Sequence, residues 1–214
     1  LRRATASLAC GAMPCHHRAM TIGAAPSLVL LGSPHLQAGH TRADLPDKLP
    51  GYLVAYLATR GDWVLREELA VLLWPQASEA QAQNNLRVNL ARLRPHLAEW
   101  GLQERFVAER RRLRLDLPSD VADLRAAHAA AEWARAAASS AAPFLDGLSF
   151  RAFTVMGEWV RTERETLRHL WRDALLHAAQ GAPPQTRLDL AARVLQTDPF
   201  DEELLRLQLD ALAE

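Results

Sequence analysis

Residues 84–97, NNLRVNLARLRPHL, combine amide and guanidinium side chains with regularly spaced leucines. No acidic residue occurs between Glu79 and Glu99, although an ordinary exposed helix mixes Glu with Lys or Arg. At about 100° per residue, a helix gathers the apolar side chains into one narrow stripe. That stripe consists of Ala82, Leu86, Leu90, Leu93 and Leu97.

The same helical wheel predicts an amide-rich, cationic outward face. Opposite the apolar stripe lie Gln81, Asn84, Asn85, Val88 and Arg92, with Arg87 and Arg94 on one flank and Asn89 and His96 on the other. Asn and Gln can pair bidentately with adenine and Arg with guanine, each worth about 1–3 kcal/mol of discrimination between bases. Val88 can rest on a thymine methyl group. The alternative is a solvated face that lacks acids by chance.

A second arginine-rich stretch argues against the alternative that the face of the helix lacks acids by chance. In 105–118, RFVAERRRLRLDLP, leucines alternate with polar residues, which is the period of a half-buried strand. Pairing with 105–108 makes a hairpin whose wing arginines are Arg110, Arg111, Arg112 and Arg114. Residues 81–114 hold eight arginines against three acids. We expect such a strip to bind phosphates, with an affinity that falls steeply as salt rises.

The elements before this strip predict the layout of a winged helix-turn-helix module. SLVLLGSPHLQAGH, 27–40, indicates a β-hairpin. A helix from about Pro50 to Gly61 and a short helix over 66–75 follow. A third helix, 78–100, begins at the N-cap Ser78. Pro95 is expected to bend or end it, so groove contacts should come from the residues before Pro95.

After Pro118 the pattern is entirely helical. We predict helices over 120–141, 155–180, 185–196 and 200–213, with a loop at 142–148. The last pair, around the turn TDPF, is typical of a tetratricopeptide-like unit. The predicted fold is therefore mainly α: a winged helix-turn-helix domain with small β-hairpins (27–118), then an all-α tetratricopeptide-like domain (119–214).

The distribution of charged residues divides the chain into a basic half and an acidic half. The 214 residues carry no net charge, but 1–118 hold a net of +5 and 119–214 a net of −5. No stretch is long and apolar enough for a membrane span, and the scarcity of cysteine favours a reducing cytoplasm. We interpret 1–26 as a disordered leader, with Met20 as a candidate start. The alternative is a metal site formed by Cys10, Cys15, His16 and His17, whose spacing is poor for zinc.

The chain resembles the bacterial transcriptional activators of the SARP type. YLVAYLATRGDWVLREELAVLLWP followed by NNLRVNLARLRPHL resembles their DNA-binding module. DVADLRAAH, PFLDGL and WVRTERETLRHLWRDALLHAA resemble the start of their bacterial transcriptional activation domain. DLAARVLQTDPFDEELLRLQLDAL resembles its tetratricopeptide-like continuation. The resemblance covers residues 27–213.

The resemblance implies a sequence-specific transcriptional activator that binds direct repeats of double-stranded DNA and contacts RNA polymerase, with repression by a short activation domain as the alternative. It also implies a homodimer or tandem arrangement. Apart from the resemblance, we expect a cytoplasmic protein with no cofactor and no membrane partner. Carried over by position, Arg87, Arg92 and Arg94 lie on the recognition helix and 110–114 on the wing. Family members place Ser or Thr before the second helix, where this chain has Leu65, so a helix cap worth about 1 kcal/mol is missing. Their activation domain usually runs on for several more helices, so we interpret 119–214 as a truncated activation domain or as one whose end a partner covers.

Two other classes of function compete with a regulator. An enzyme is disfavoured because the sequence has no phosphate-binding loop, nucleophile elbow or His-Glu-x-x-His motif. His128, His169 and His177 fall at ordinary positions of amphipathic helices, so no catalytic or metal-binding residue is predicted. The second alternative is a protein-interaction adaptor that uses the helical half, with the winged helix as a scaffold. Trp133, Trp159 and Trp171 would then line a groove, although burial in the core is the default for such residues.

Overall fold

The computed structural model describes residues 25–213. The proposed leader therefore lies almost wholly outside the described residues, as do Met20 and the candidate metal ligands Cys10, Cys15, His16 and His17. The described chain forms six strands and eight α-helices, with a single 3-10 turn at Gln103–Arg105. In chain order they are β1 (Ser27–Val29), β2 (His35–Ala38), β3 (Thr41–Asp44), α1 (Leu49–Arg60), β4 (Val64–Leu65), α2 (Arg66–Leu73), α3 (Glu79–Glu99), β5 (Phe106–Ala108), β6 (Arg112–Leu115), α4 (Asp120–Ala129), α5 (Trp133–Ala137), α6 (Thr154–Ala179), α7 (Pro184–Leu195) and α8 (Glu202–Ala213).

The expected order of hairpin, three helices and hairpin is confirmed, but each hairpin belongs to a three-stranded antiparallel sheet. The first sheet has the order β1-β2-β3, and the second has the order β4-β6-β5. The extra strands are β3 and the two-residue β4. Neither carries a run of alternating apolar residues long enough to predict a strand.

Helices α1 and α3 begin and end close to the predicted residues. Gly61 ends α1 in the left-handed conformation with φ of 64°, which glycine adopts without a Cβ penalty. Ser78 caps α3 by accepting a hydrogen bond from the backbone N–H of Gln81. Of the two effects expected of Pro95, the end of α3 is contradicted, because the helix continues to Glu99, and a bend at Pro95 stays a prediction. The fully buried Leu93 and Leu97 on either side hold the chain helical despite the lost hydrogen bond.

The predicted single helix over 120–141 is two helices, α4 and α5. The break lies at Ala131, whose φ of 56° is left-handed, and the backbone N–H of Glu132 donates to the carbonyl of Ala127 across it. An alanine-rich stretch carries no signal for such a break, because alanine has the highest helix propensity. The helices α6, α7 and α8 lie within two residues of their predicted bounds.

One hydrophobic core runs from Leu28 to Leu204 and passes between the two halves. The aromatic rings of Tyr56 on α1 and Trp159 on α6 have centroids 4.7 Å apart. The side chain of Asp120 accepts hydrogen bonds from the backbone N–H groups of Leu30 and Leu31, at 2.8 and 2.9 Å. These contacts join the first sheet and α1 to the helical half. The division of the chain into two domains, between residues 118 and 119, stays a prediction.

Within residues 25–213, no helix is long and apolar enough to cross a membrane.

Candidate nucleic-acid interface

Helix α3 presents the face that the helical wheel predicts. The apolar stripe is buried: Ala82, Leu86, Leu90, Leu93 and Leu97. Most of the predicted contact residues are exposed: Gln81, Asn84, Arg87, Arg92 and Arg94. The remaining two, Asn85 and Val88, are half-buried. The stripe is therefore confirmed, and the outward face consists of amides and guanidiniums.

Several polar side chains of this face are ordered by contacts along the helix. Gln81 donates to the amide oxygen of Asn85 at 2.9 Å, and Arg87 donates to the amide oxygen of Asn84 at 3.0 Å. Asn89 donates to the backbone carbonyl of Asn85 at 2.9 Å. Each contact spans three or four residues, the spacing that faces side chains toward each other on a helix. The amides are thus held near the surface with hydrogen-bonding capacity to spare.

The wing arginines fall into two pairs. Arg110 and Arg111 lie at the exposed tip between β5 and β6, and neither side chain forms an ion pair or hydrogen bond within the described residues. Arg112 instead binds Glu109 at 2.8 Å and lies 4.1 Å from the ring centroid of Trp63. Arg114 is half-buried over the same ring, at 5.4 Å. Arg110 and Arg111 are therefore the wing cations most available to an anionic partner.

Arg66, the first residue of α2, connects that helix to the wing. Its backbone N–H donates to the carbonyl of Arg111 at 2.9 Å. Its side-chain Nε donates to the carbonyl of Glu109 at 3.0 Å. The wing tip is thereby held at a fixed distance from the start of α2, which packs against α3. Helix α3 and the wing form one surface rather than two independent elements.

Two clefts separate α3 from the wing. One has a volume of about 350 Å³ and is lined by Arg66, Gln83, Asn84, Leu86, Arg87 and Arg110. The other has a volume of about 450 Å³ and is lined by Arg94, Leu97, Gln103, Phe106 and Ala108. The first cleft brings together three arginines from three different elements. Such a concentration of planar cationic donors is suited to phosphate oxygens.

The positive charge of Arg94 acts on Arg66 across this surface. Burial, and in second place the positive charge of Arg94, lower the pKa of the Arg66 guanidinium below its ordinary value. Arg66 still remains charged, because arginine is not deprotonated in proteins. The protein therefore keeps like charges close together, at a cost that a bound anion would offset.

Arg66 and Gln83 were not among the predicted site residues. Arg66 lies 21 residues before Arg87 in the sequence, and only the pairing of β4 with β6 brings it beside the wing. Gln83 falls between the buried stripe and the predicted outward face, and it also donates to Glu79 at 3.2 Å. A helical wheel drawn for one element cannot show a cleft that three elements form.

The histidines of the helical half are partly brought together. Both His128 and His177 lie near Asp173, with Nε2 to carboxylate distances of 2.8 and 3.6 Å. The ring of Trp133 stacks on His177 at 4.3 Å, whereas His169 is exposed. Across residues 25–213, no group of three or more His, Cys, Asp or Glu side chains could hold a metal ion.

Comparisons with known proteins give evidence about the fold. No protein-family model matches the chain, and no curated protein matches it. A similar solved structure is that of Mycobacterium tuberculosis EmbR in complex with a low affinity phosphopeptide, with a TM-score of 0.60 and 20% sequence identity. The match covers 87% of this chain and 54% of the EmbR chain, so the chain spans about half of that protein. The chain thus has a mainly helical, EmbR-like fold: a winged helix-turn-helix arrangement followed by helices.

Proposed function

We propose that the chain is a sequence-specific DNA-binding transcriptional regulator, with α3 in the major groove and the β5–β6 wing on the flanking backbone. The observation that carries this proposal is the surface shared by α3, the start of α2 and the wing. On it, Arg66, Arg87 and Arg110 line one cleft. The fold shared with EmbR and the resemblance to SARP-type activators support the same function.

Different residues would perform two different tasks. The amides at 81, 84 and 85 and Arg92 lie on the face turned away from the core, where base edges would be read. The tip arginines Arg110 and Arg111, together with Arg66, would bind phosphates and set the position of α3. Neither task requires a cofactor or a metal ion.

The helical half would connect bound DNA to other proteins. Its last helix, α8, exposes a row of large apolar side chains, and Phe200 just before it is 87% exposed. The exposed large apolar residues of α8 are Leu205, Leu209 and Leu212. Apolar patches of this kind mark protein contact surfaces. Binding to direct repeats, dimerisation and contact with RNA polymerase in the cytoplasm are proposed on the family resemblance.

The adaptor alternative rests on the same apolar row. It does not gain from the tryptophans, because Trp171 is 3% exposed and Trp133 and Trp159 pack half-buried against the core. The adaptor function also leaves the shared cationic surface without a purpose.

Selection of bound sequences from a random duplex pool tests the proposal. The full chain should enrich a short motif and protect it from cleavage in a footprint. Recovery of a pool with no enriched motif would contradict sequence-specific binding. Absence of any retained DNA would favour the adaptor.

A further inference from the structure

A small cavity lies where the first sheet meets the helical half, and its lining shares no residue with the two clefts of the proposed DNA surface. Its volume is about 170 Å³, and its walls include Leu31, Leu124, Leu167 and Trp171. Drug-sized ligand sites have volumes of about 300–1,000 Å³. An apolar cavity of about 150 Å³ holds a benzene molecule. The space therefore fits one six-membered ring and little more.

One side of the cavity is cationic. Both Arg164 and Arg168 lie on its lining. Arg164 donates to the backbone carbonyls of Phe144 and Leu145 at 2.6 and 3.0 Å, which uses two of the five N–H donors of a guanidinium. Arg168 faces Asp198 at 3.6 Å, a loose pair whose side chains are 48% and 42% exposed. Such an exposed pair contributes little to stability, so Arg168 can exchange its partner at low cost.

The aromatic wall is rigidly held. Indole Nε1 of Trp171 donates to the carbonyl of Ser139 at 3.2 Å, and Arg193 donates to the same carbonyl at 3.0 Å. Arg193 also lies 5.3 Å from the Trp171 ring centroid. A ring entering the cavity would therefore pack against a fixed indole rather than induce one to move.

We propose that this cavity binds a small aromatic carboxylate, with its ring against Leu167 and Trp171 of α6 and its carboxylate on Arg168. The apolar walls select the ring, and the guanidinium selects the negative charge. Because Leu31 belongs to the connection between β1 and β2, such a ligand would bridge the first sheet and α6. The proposal does not depend on DNA binding.

Benzoate and its uncharged analogue benzamide are the probes, and ligand-detected saturation-transfer NMR on the full chain is the measurement. The wild-type chain should bind benzoate saturably and benzamide more weakly. Arg168→Gln should weaken benzoate binding by about tenfold, because a charge-assisted hydrogen bond is lost. Benzamide binding should be unchanged in the same variant.

A substitution of Asp198, the partner of Arg168, should change the affinity for benzoate in the opposite direction. Asp198→Asn removes the carboxylate that competes for Arg168, so benzoate should bind severalfold more tightly. Arg135→Gln is the matched control, because Arg135 is also an exposed arginine paired with acids and does not line the cavity. It should bind benzoate as the wild type does. The proposal would be overturned if benzoate did not bind saturably. It would also be overturned if Arg168→Gln and Asp198→Asn changed the affinity for benzoate in the same direction.

Discussion

The backbone N–H of Arg66 donates to the carbonyl oxygen of Arg111 at 2.9 Å, so the wing tip satisfies the first N–H of α2. The residue before it, Leu65, has N-cap geometry and no side chain that could accept a hydrogen bond. The remaining N–H groups of the first turn thus lack a side-chain cap.

The first prediction concerns this missing cap. Leu65→Thr should raise the free energy of unfolding by about 1 kcal/mol, because its hydroxyl can accept from the first turn of α2. Leu65 is 53% exposed, so little burial is lost. Leu65→Val, which has nearly the same shape as Thr and no hydroxyl, is the control in urea denaturation. Equal stability of the Thr and Val variants would show that the cap does not form.

The second prediction concerns the contact between Arg66 and the wing. Arg66→Gln should weaken binding to every duplex by a similar factor, because it removes one cationic contact to phosphate without altering the base-reading face. Arg66→Lys retains the charge and loses the fork geometry, so it should bind with intermediate affinity. Fluorescence anisotropy on a selected site and on an unrelated duplex measures both. A loss confined to the selected site would instead make Arg66 a base-reading residue.

The third prediction concerns Arg92 on the outward face of α3. Arg92→Ala should cost about 1–3 kcal/mol on the selected site and relax the base preference at one position. Arg206→Ala on the helical half changes the net charge equally and is the control. Repeated binding-site selection is the measurement. An unchanged sequence motif for Arg92→Ala would place base recognition on another face.

The fourth prediction concerns the helical half, where Arg172 donates to both carboxylate oxygens of Asp201 at 2.5 and 2.8 Å. Asp201 is 8% exposed and also accepts from the backbone N–H of Leu204 at the start of α8. Asp201→Asn should lower the free energy of unfolding by about 1.5–3 kcal/mol at neutral pH. Asp189→Asn is the control, because Asp189 is exposed and accepts only from Gln185 within the described chain.

The loss of stability caused by Asp201→Asn should depend on pH. The hydrogen bond from Arg172 is the main reason that the pKa of Asp201 lies below its ordinary value. A lowered pKa stabilises the fold above the unfolded value of about 4, and the contribution disappears as pH falls through the lower folded value. The difference between wild type and Asp201→Asn should therefore shrink in acid. A difference independent of pH would mean that the carboxylate charge is not involved.

Helical periodicity was sufficient to predict α3 and its buried stripe, because leucines three and four residues apart must share one face. Alternation likewise predicted β6, where Leu113 and Leu115 are buried. The two-residue β4 and the contact of Arg66 with Glu109 depend on chain pairing over more than 40 residues. The break at Ala131 could not be predicted from local propensity, because alanine favours a continuous helix. The cleft lined by Arg66, Arg87 and Arg110 could therefore not be predicted from the pattern of any single element.

The most direct test of the central claim is the salt dependence of binding to random duplex DNA. If Arg66, Arg87, Arg94, Arg110 and Arg111 each neutralise one phosphate, the logarithm of the association constant should fall with the logarithm of salt concentration at a slope of about −4 to −5. Arg110→Gln combined with Arg111→Gln should reduce that slope by about 2, whereas Arg135→Gln should leave it unchanged. Binding that is absent, or that does not respond to salt, would contradict the account.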